Sequence, residues 1–446
     1  MLQGSPMACP RSNHHVQQLL LDANNTRASD TPGRGDVCDR SSHLHFASSK
    51  NSRFQGVWEF ASHTVENATY SETFCPFIKA KASPNYTSGS ETMAQQIPKT
   101  AKQWSIVGTD GLDSLVYSEE LVPEIGDTQV LVRIQGASLN FRDLLIAQGK
   151  YPWPVKPNVV PGSDGAGTVL AAGKHVTRFQ PGDKVITTLN QKHISGSLDA
   201  ESLQYGTGAS IDGTLRCIGV FDEHALVHMP EGLSFVEAAT LSCAGVTAWN
   251  ALFGLPGKRV APGQWVLTQG TGGVSIFALQ FAKAVGARVI ATTSAGENKV
   301  ELLRRLGADH VINYREVEEW GVAAKEITGG TGVDLVVEVA GGKTLNQSVE
   351  AVKLDGTIAV LGFVGGEAEA TGVPTLLQTW MRLFTARGLW VGSRDQMEEM
   401  CRAIEGDVDQ LRPVVDRVFK LEELKEAYEY LLQGKHQGKV GIDISA

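Results

Sequence analysis

The sequence is short of cysteine, of long apolar runs and of positive charge, and each shortage excludes something. Six cysteines (Cys9, Cys38, Cys75, Cys217, Cys243, Cys401) are scattered over 446 residues without C-x-x-C spacing. That excludes a disulfide scaffold and a four-cysteine metal knuckle, and predicts a reducing, cytoplasmic setting. No run approaches the roughly 20 apolar residues of a membrane span, so no membrane role is expected. A formal charge of -9 and a pI near 5.7 argue against nucleic acid or an anionic membrane as a partner. What is present is 42% hydrophobic residues, enough for ample cores, in a chain long enough for two or three domains.

Residues 1–92 differ from the rest. They are rich in Ser, Asn, Thr and His, show no sustained period, and are expected to form a disordered or loosely structured leader. Its apolar core, Val16 to Leu21, is too short for a secretory signal, and Asp22, Asp30, Asp36 and Asp39 argue against a transit peptide. Met93 falls where the composition changes and is a candidate alternative start.

From Gln103 strands are expected at Trp104–Val107, Leu115–Tyr117 and Gln129–Gln135, with turns between them. The glycine-rich stretches Val159–Gly173 and Pro181–Ile186 continue the pattern, which predicts an irregular, partly open β-barrel. Residues 190–212, polar and rich in Gly and Ser, are expected to form a surface loop.

The stretch from Gln264 to Ala287 organises the remainder. A short apolar run, Trp265–Thr268, leads into Gly270, Gly272 and Gly273. A helical apolar face follows (Val274, Phe277, Ala278, Phe281, Ala282, Val285) and stops at Gly286; a second strand begins at Arg288. Strand, glycine turn, helix and strand form the βαβ unit that binds a dinucleotide, with the pyrophosphate at the helix N-terminus. Ser275 stands where the strict G-x-G-x-x-G fingerprint has its third glycine. Strand and helix candidates then alternate: Arg288–Thr292, Glu297–Leu306, His310–Ile312, Trp320–Ile327, Leu335–Val339, Leu345–Lys353, Ile358–Leu361. This predicts an α/β doubly wound parallel sheet of the Rossmann type. One more strand is expected at Gly388–Gly392.

Several motifs in order resemble one family. They are Leu139-Asn-Phe-Arg-Asp143, Pro161-Gly-Ser-Asp-Gly-Ala-Gly167, Pro181-Gly-Asp-Lys-Val185, Cys243-Ala-Gly-Val-Thr-Ala-Trp249, Gly270–Ser275, Leu306-Gly-Ala-Asp-His-Val311 and Gly438-Lys-Val440. The chain resembles the medium-chain dehydrogenase/reductase superfamily, in the zinc-type alcohol dehydrogenase-like and quinone oxidoreductase-like (enoyl reductase) branch. The resemblance implies a GroES-like catalytic domain (93–246), a Rossmann NADP-binding domain (247–386) and a C-terminal return to the catalytic domain (387–446). It also implies a homodimer and hydride transfer in the cleft between domains.

Zinc-dependent relatives hold their metal with Cys, His and Cys. The matching positions here are Asn140, Ser163 and Cys243, and only the last is a ligand type, so no zinc is expected. His193, His224 and His228 are the other candidate ligands. For the cofactor, Thr292, Thr293, Ser294 and Lys299 after the second strand suit a 2′-phosphate, whereas NAD sites carry a carboxylate there. NADPH is expected over NADH, although Glu297 is close by. The resemblance adds Thr247, Tyr314, Phe363 and Val364 to Gly270, Gly272, Gly273 and Val274 as cofactor-binding residues.

Without a metal, the negative charge that hydride transfer builds on a substrate oxygen needs a donor. The resemblance points to Asn140 and Tyr151 as catalytic residues, with Arg142 and Asp143 read as a structural ion pair. The expected function is NADPH-dependent, zinc-independent reduction of quinones or activated C=C bonds. Alternatives are an alcohol dehydrogenase or carbonyl reductase of the same fold, and a non-catalytic NADPH-binding sensor or scaffold.

Overall fold

The computed structural model describes residues 97–294, 296–362, 364 and 372–445. The expected leader, 1–92, lies outside them. In chain order, β1 (Thr100–Ile106) and β2 (Leu115–Leu121) pair antiparallel, and β3 (Gln129–Leu139) runs straight into α1 (Phe141–Ala147). β4 (Asp164–Ala172), β5 (Lys184–Thr187), β6 (Ile218–Asp222) and β7 (Leu226–His228) follow. Next come α2 (Phe235–Ala239), a π-helical turn (Leu241–Gly245) and α3 (Val246–Phe253).

The second half is a regular alternation. It comprises β8 (Trp265–Gln269), α4 (Gly273–Ala284), β9 (Arg288–Thr293), α5 (Glu297–Arg305), β10 (His310–Asn313), α6 (Trp320–Ile327) and β11 (Val333–Glu338). It continues with α7 (Leu345–Ala351), β12 (Val352–Val360), α8 (Leu377–Arg382) and β13 (Thr385–Gly388). The tail is α9 (Arg394–Gly406), α10 (Val408–Leu411), β14 (Val415–Lys420), α11 (Leu424–Leu432) and β15 (Lys439–Asp443).

The first sheet has the order β14-β15-β3-β4-β5-β7, with β6 also on β3. β3 can serve so many neighbours because both its faces are buried and its ladder to β4 is broken by register shifts at Leu131/Val132 and Ile134/Gly136. Such bulges bend a strand and increase its twist, which curls this sheet into the GroES-like barrel.

The second sheet has the order β10-β9-β8-β11-β12-β13, all parallel. The winding reverses between β8 and β11, and ligands of such sheets bind at the carboxyl ends of the strands at that switch point. The expected strand at Gly388–Gly392 lies earlier, with Gly388 its last residue. Leu389 still donates its N–H to Val360 O at 3.2 Å, and both Leu389 and Trp390 pack on the core.

Glu338, fully buried at the end of β11, holds the switch point rigid. It accepts from Gln269 Nε2 (2.7 Å), Thr344 Oγ1 (2.6 Å) and the backbone N–H groups of Ala340 (3.0 Å) and Gly341 (2.9 Å). A buried carboxylate needs that many donors to offset its lost hydration.

α4 is buried almost all round, from Ser275 to Ala282, because it lies between the sheet, α3 and α10. Phe281 is its anchor, 5.2 Å from the Trp249 ring and 5.7 Å from Phe277. Phe281→Ala should lower stability by about 3–5 kcal/mol, the usual cost of emptying such a site. Urea unfolding followed by tryptophan fluorescence measures it; an unchanged midpoint would show that α4 is anchored elsewhere.

Candidate functional site

The carboxyl edge of the second sheet carries the nucleotide-type residues. Gly270 has φ +75°, a left-handed value that suits glycine, and a Cβ on Gly270 or Gly272 would meet open space. Gly272 caps α4 and Gly273 begins it, so the first-turn N–H groups have no intrahelical partner and face the turn. Ser275, the departure from the strict fingerprint, ties that turn down: its Oγ donates to Gln269 O at 2.6 Å. Val274 is half-buried on the first turn, and Thr247 is buried in the first turn of α3.

Beyond β9, Ser294 and Lys299 remain partly accessible. Thr292 and Thr293 do not: both side chains are buried, and Thr293 Oγ1 has no partner among the described residues. Tyr314 donates its backbone N–H to Thr293 O at 3.1 Å, with the side chain exposed. Val364 is exposed, its N–H on Val339 O at 3.2 Å; Phe363 lies outside the described residues. The open glycine cradle at a helix N-terminus fits a dinucleotide, which Gly270, Gly272, Gly273 and Val274 would hold by the pyrophosphate.

The first lobe supplies the polar residues. Asn140 follows β3 and caps the N-terminus of α1, where Asp143 Oδ2 accepts its backbone N–H at 2.8 Å. Arg142, one residue into α1, faces Tyr151 and Ser163. Its Nε and Nη2 donate to Tyr151 Oη at 3.3 and 3.2 Å, and its Nη1 donates to Thr207 O at 2.8 Å and to Ser163 Oγ. Ser163 Oγ in turn donates to Asp143 Oδ1 at 2.5 Å. The expected Arg142–Asp143 ion pair is present at 3.7 Å, with the Ser163 hydroxyl bonded to both partners. Burial pushes the Asp143 carboxyl up, against the opposing pull of Arg142.

A second buried pair lies beside it. Lys439 Nζ is 3.1 Å from Asp164 Oδ2, which also accepts from Ser138 Oγ at 2.5 Å. The same ammonium donates to Asn140 Oδ1 at 2.5 Å. Sequence reasoning singled out Lys439 only as the middle of Gly438-Lys-Val440. Its role depends on a residue some three hundred positions away, a separation no local pattern reveals.

These atoms decide whether zinc fits. Asn140, Ser163 and Cys243 do converge, joined through Arg142, Lys439, Asp143 and Asp164. Yet Ser163 Oγ and Asn140 Oδ1 are engaged by cations. The Cys243 thiol is pushed up to about 12 by burial and by Asp164, with Lys439 and Arg142 opposing, so at neutral pH it is protonated. Of the three residues, only Cys243 is of a type that zinc sites use, and a catalytic zinc needs about three protein ligands. This donor set does not fit a zinc ion. The three histidines do not converge: His193 Nε2 lies 3.0 Å from Gly196 O, His224 Nδ1 lies 3.1 Å from Arg394 Nη1, and the His228 ring packs on Phe179. Among the described residues no group of three or more His, Cys, Asp or Glu is placed to hold a metal. No helix among the described residues is long and apolar enough to cross a membrane.

Comparison with known proteins agrees with this architecture. Residues 126–231 match the alcohol dehydrogenase GroES-like domain, and residues 273–406 match the zinc-binding dehydrogenase domain. A zinc-type alcohol dehydrogenase-like protein of Schizosaccharomyces pombe is 44% identical over 75% of this chain and 96% of its own length. The crystal structure of an NAD-dependent alcohol dehydrogenase is 30% identical, with TM-score 0.68 over 77% of this chain and 99% of the other. A crotonyl-CoA carboxylase/reductase variant solved with NADP is 25% identical, with TM-score 0.69 over 81% and 99%. A two-lobed fold with its dinucleotide cradle facing a polar cluster, and relatives at this identity and coverage, lead to one conclusion: the chain belongs to the medium-chain dehydrogenase/reductase superfamily, in its zinc-type alcohol dehydrogenase-like branch, and is an oxidoreductase that works with a nicotinamide cofactor.

Proposed function

We propose that the protein reduces quinones, or C=C bonds conjugated to a carbonyl, with NADPH and without zinc. The observation that supports this most directly is the hydrogen bonding of Tyr151. Its phenolic oxygen accepts from Arg142 twice, which leaves its own O–H to donate. The fixed guanidinium, 5.0 Å from the ring centroid, adds positive potential at the place where a metal would otherwise polarise the substrate.

Bound across the cleft, a reduced nicotinamide supplies the hydride. As the acceptor takes it, electron density moves to the acceptor oxygen. Tyr151 O–H donates to that oxygen and passes its proton, completing a hydroquinone or an enol, and is reprotonated from solvent. Asn140 offers a second donor, since its Nδ2 has no partner among the described residues. The division into catalytic (93–246), nucleotide-binding (247–386) and returning (387–446) segments goes with this reading. A second reading, alcohol dehydrogenase or carbonyl reductase, draws on the names of the relatives. A metal-stripped sample that turns over aldehydes but no para-quinone would favour it. Tight NADPH binding without turnover of any acceptor would favour a sensor or scaffold.

Tyr151→Phe should lower kcat with a para-quinone by about a hundredfold, the scale of general-acid catalysis, with little change in NADPH affinity. Burial raises the Tyr151 phenol above its usual value, with Arg142 opposing. The acid is therefore protonated across the neutral range, and wild-type kcat should stay level to about pH 10 and fall only above it. Full turnover by the phenylalanine variant would remove Tyr151 from the reaction.

NADPH over NADH rests on Ser294 and Lys299. Lys299→Ala should raise KM for NADPH by about tenfold, which corresponds to about 1.4 kcal/mol, and leave KM for NADH nearly unchanged. Equal effects on both cofactors would count against the assignment.

For its assembly we infer a homodimer formed at β13, the edge strand of the second sheet. The neighbouring Leu376, Leu377, Trp380, Met381 and Leu383 are all exposed, an apolar surface that a second copy would cover. Trp380→Asp should convert the dimer to a monomer in analytical ultracentrifugation; a wild-type monomer at micromolar concentration would overturn the inference.

A further inference from the structure

Lys439 makes contacts that neutralising Asp164 does not require. The register of β15 on β3 sets Val440 opposite Leu139, which brings Lys439 beside Asn140. The side chain is 4% exposed, and its ammonium donates to Leu139 O (2.7 Å), Asn140 Oδ1 (2.5 Å) and Asp164 Oδ2 (3.1 Å). An ammonium has three donors and no acceptor. The Asn140 atom facing it is therefore the carbonyl oxygen, and Nδ2 is turned the other way, buried and without a partner among the described residues.

The stem of Lys439 has a second neighbour. A Cβ on Gly273 would lie 2.6 Å from Lys439 Cδ, so the methylenes cross the first residue of α4 on the way to Asn140. The residue before it, Gly438, donates its N–H to Thr271 O at 2.8 Å, inside the glycine turn. One short segment thus touches the dinucleotide cradle with its backbone and stem, and Asn140 with its tip.

We propose that Lys439 is a positioning residue. It fixes the Asn140 carboxamide with Oδ1 toward the ammonium and the N–H groups on the side away from it, and sets their distance from a cofactor held on α4. This rests on the reading of Asn140 as a donor in the reaction. A lysine that served Asp164 alone would have no effect through Asn140, and that difference is measurable.

The test is a double-mutant cycle on the full chain with Lys439→Met and Asn140→Ala. It is read in kcat with a para-quinone and in the NADPH dissociation constant from nicotinamide fluorescence. Each single variant should lower kcat by about a hundredfold, the scale of a misplaced reacting group, and the double variant should be no slower than Asn140→Ala alone. Losses that multiply would overturn the proposal. Because Lys439→Met strands a buried carboxylate, the charge-balanced pair Lys439→Met with Asp164→Asn guards against simple unfolding. It should keep the loss in kcat; recovery to wild type would show that Lys439 serves only as a counter-ion, and the proposal falls. If the wild-type chain turns over no acceptor, the reductase reading fails by itself. The cycle in the dissociation constant then decides: non-additive losses sustain the positioning role, and additive or absent losses end it.

Discussion

Two cations are buried where the lobes meet, and each is held there by a carboxylate. Arg142 stands beside Asp143 and Lys439 beside Asp164, with side chains at most one-tenth exposed. An unpaired charge at such depth costs several kcal/mol, so none of the four is separable from its partner. Ser163 donates to Asp143 Oδ1 and Ser138 to Asp164 Oδ2, whereas Asp164 Oδ1 is buried with no partner among the described residues. Burial, with Asp164 adding to it, raises the Cys243 thiol and keeps it protonated, and Tyr151 receives hydrogen bonds from a cation instead of giving one to a base.

These pairs shape the chemistry on the proposed reading. A zinc ion polarises substrate by direct coordination. A guanidinium cannot coordinate, and acts through donors of fixed direction. Two of its N–H groups are spent on one phenol oxygen, which delivers its influence to a single O–H. Such a site suits acceptors whose charge develops on one oxygen and needs one proton.

How much of this the sequence disclosed follows from the range of the interactions. The nucleotide-binding half was legible because its signals are local. Helical period and glycine placement located α6 at Trp320–Ile327 without error, and α4 and β8 to within a residue. The cluster Leu389–Trp390 looked like a strand because apolar content reports burial, and here burial comes from packing, with Trp390 4.6 Å from Trp153. In the catalytic half the motifs Leu139–Asp143 and Gly162–Asp164 located the residues, but not the hydroxyl that joins Arg142 to Asp143.

The register of β15 supplies what was missing. It pairs antiparallel with β3, Val440 opposite Leu139 and Ile442 opposite Ala137, and this ladder helps bring the last residues of the chain to the floor of the site. A slip of one residue would turn Lys439 to the other face of the sheet and leave Asp164 buried without its cation. It would also send Val440 and Ile442, both fully buried, toward the opposite face. The hydrophobic pattern of the final strand and the ion pair at its first residue therefore demand the same register. The return of the chain to its first sheet is thereby part of the site's construction: packing of β15 sets where one buried cation stands, and that cation in turn orients Asn140.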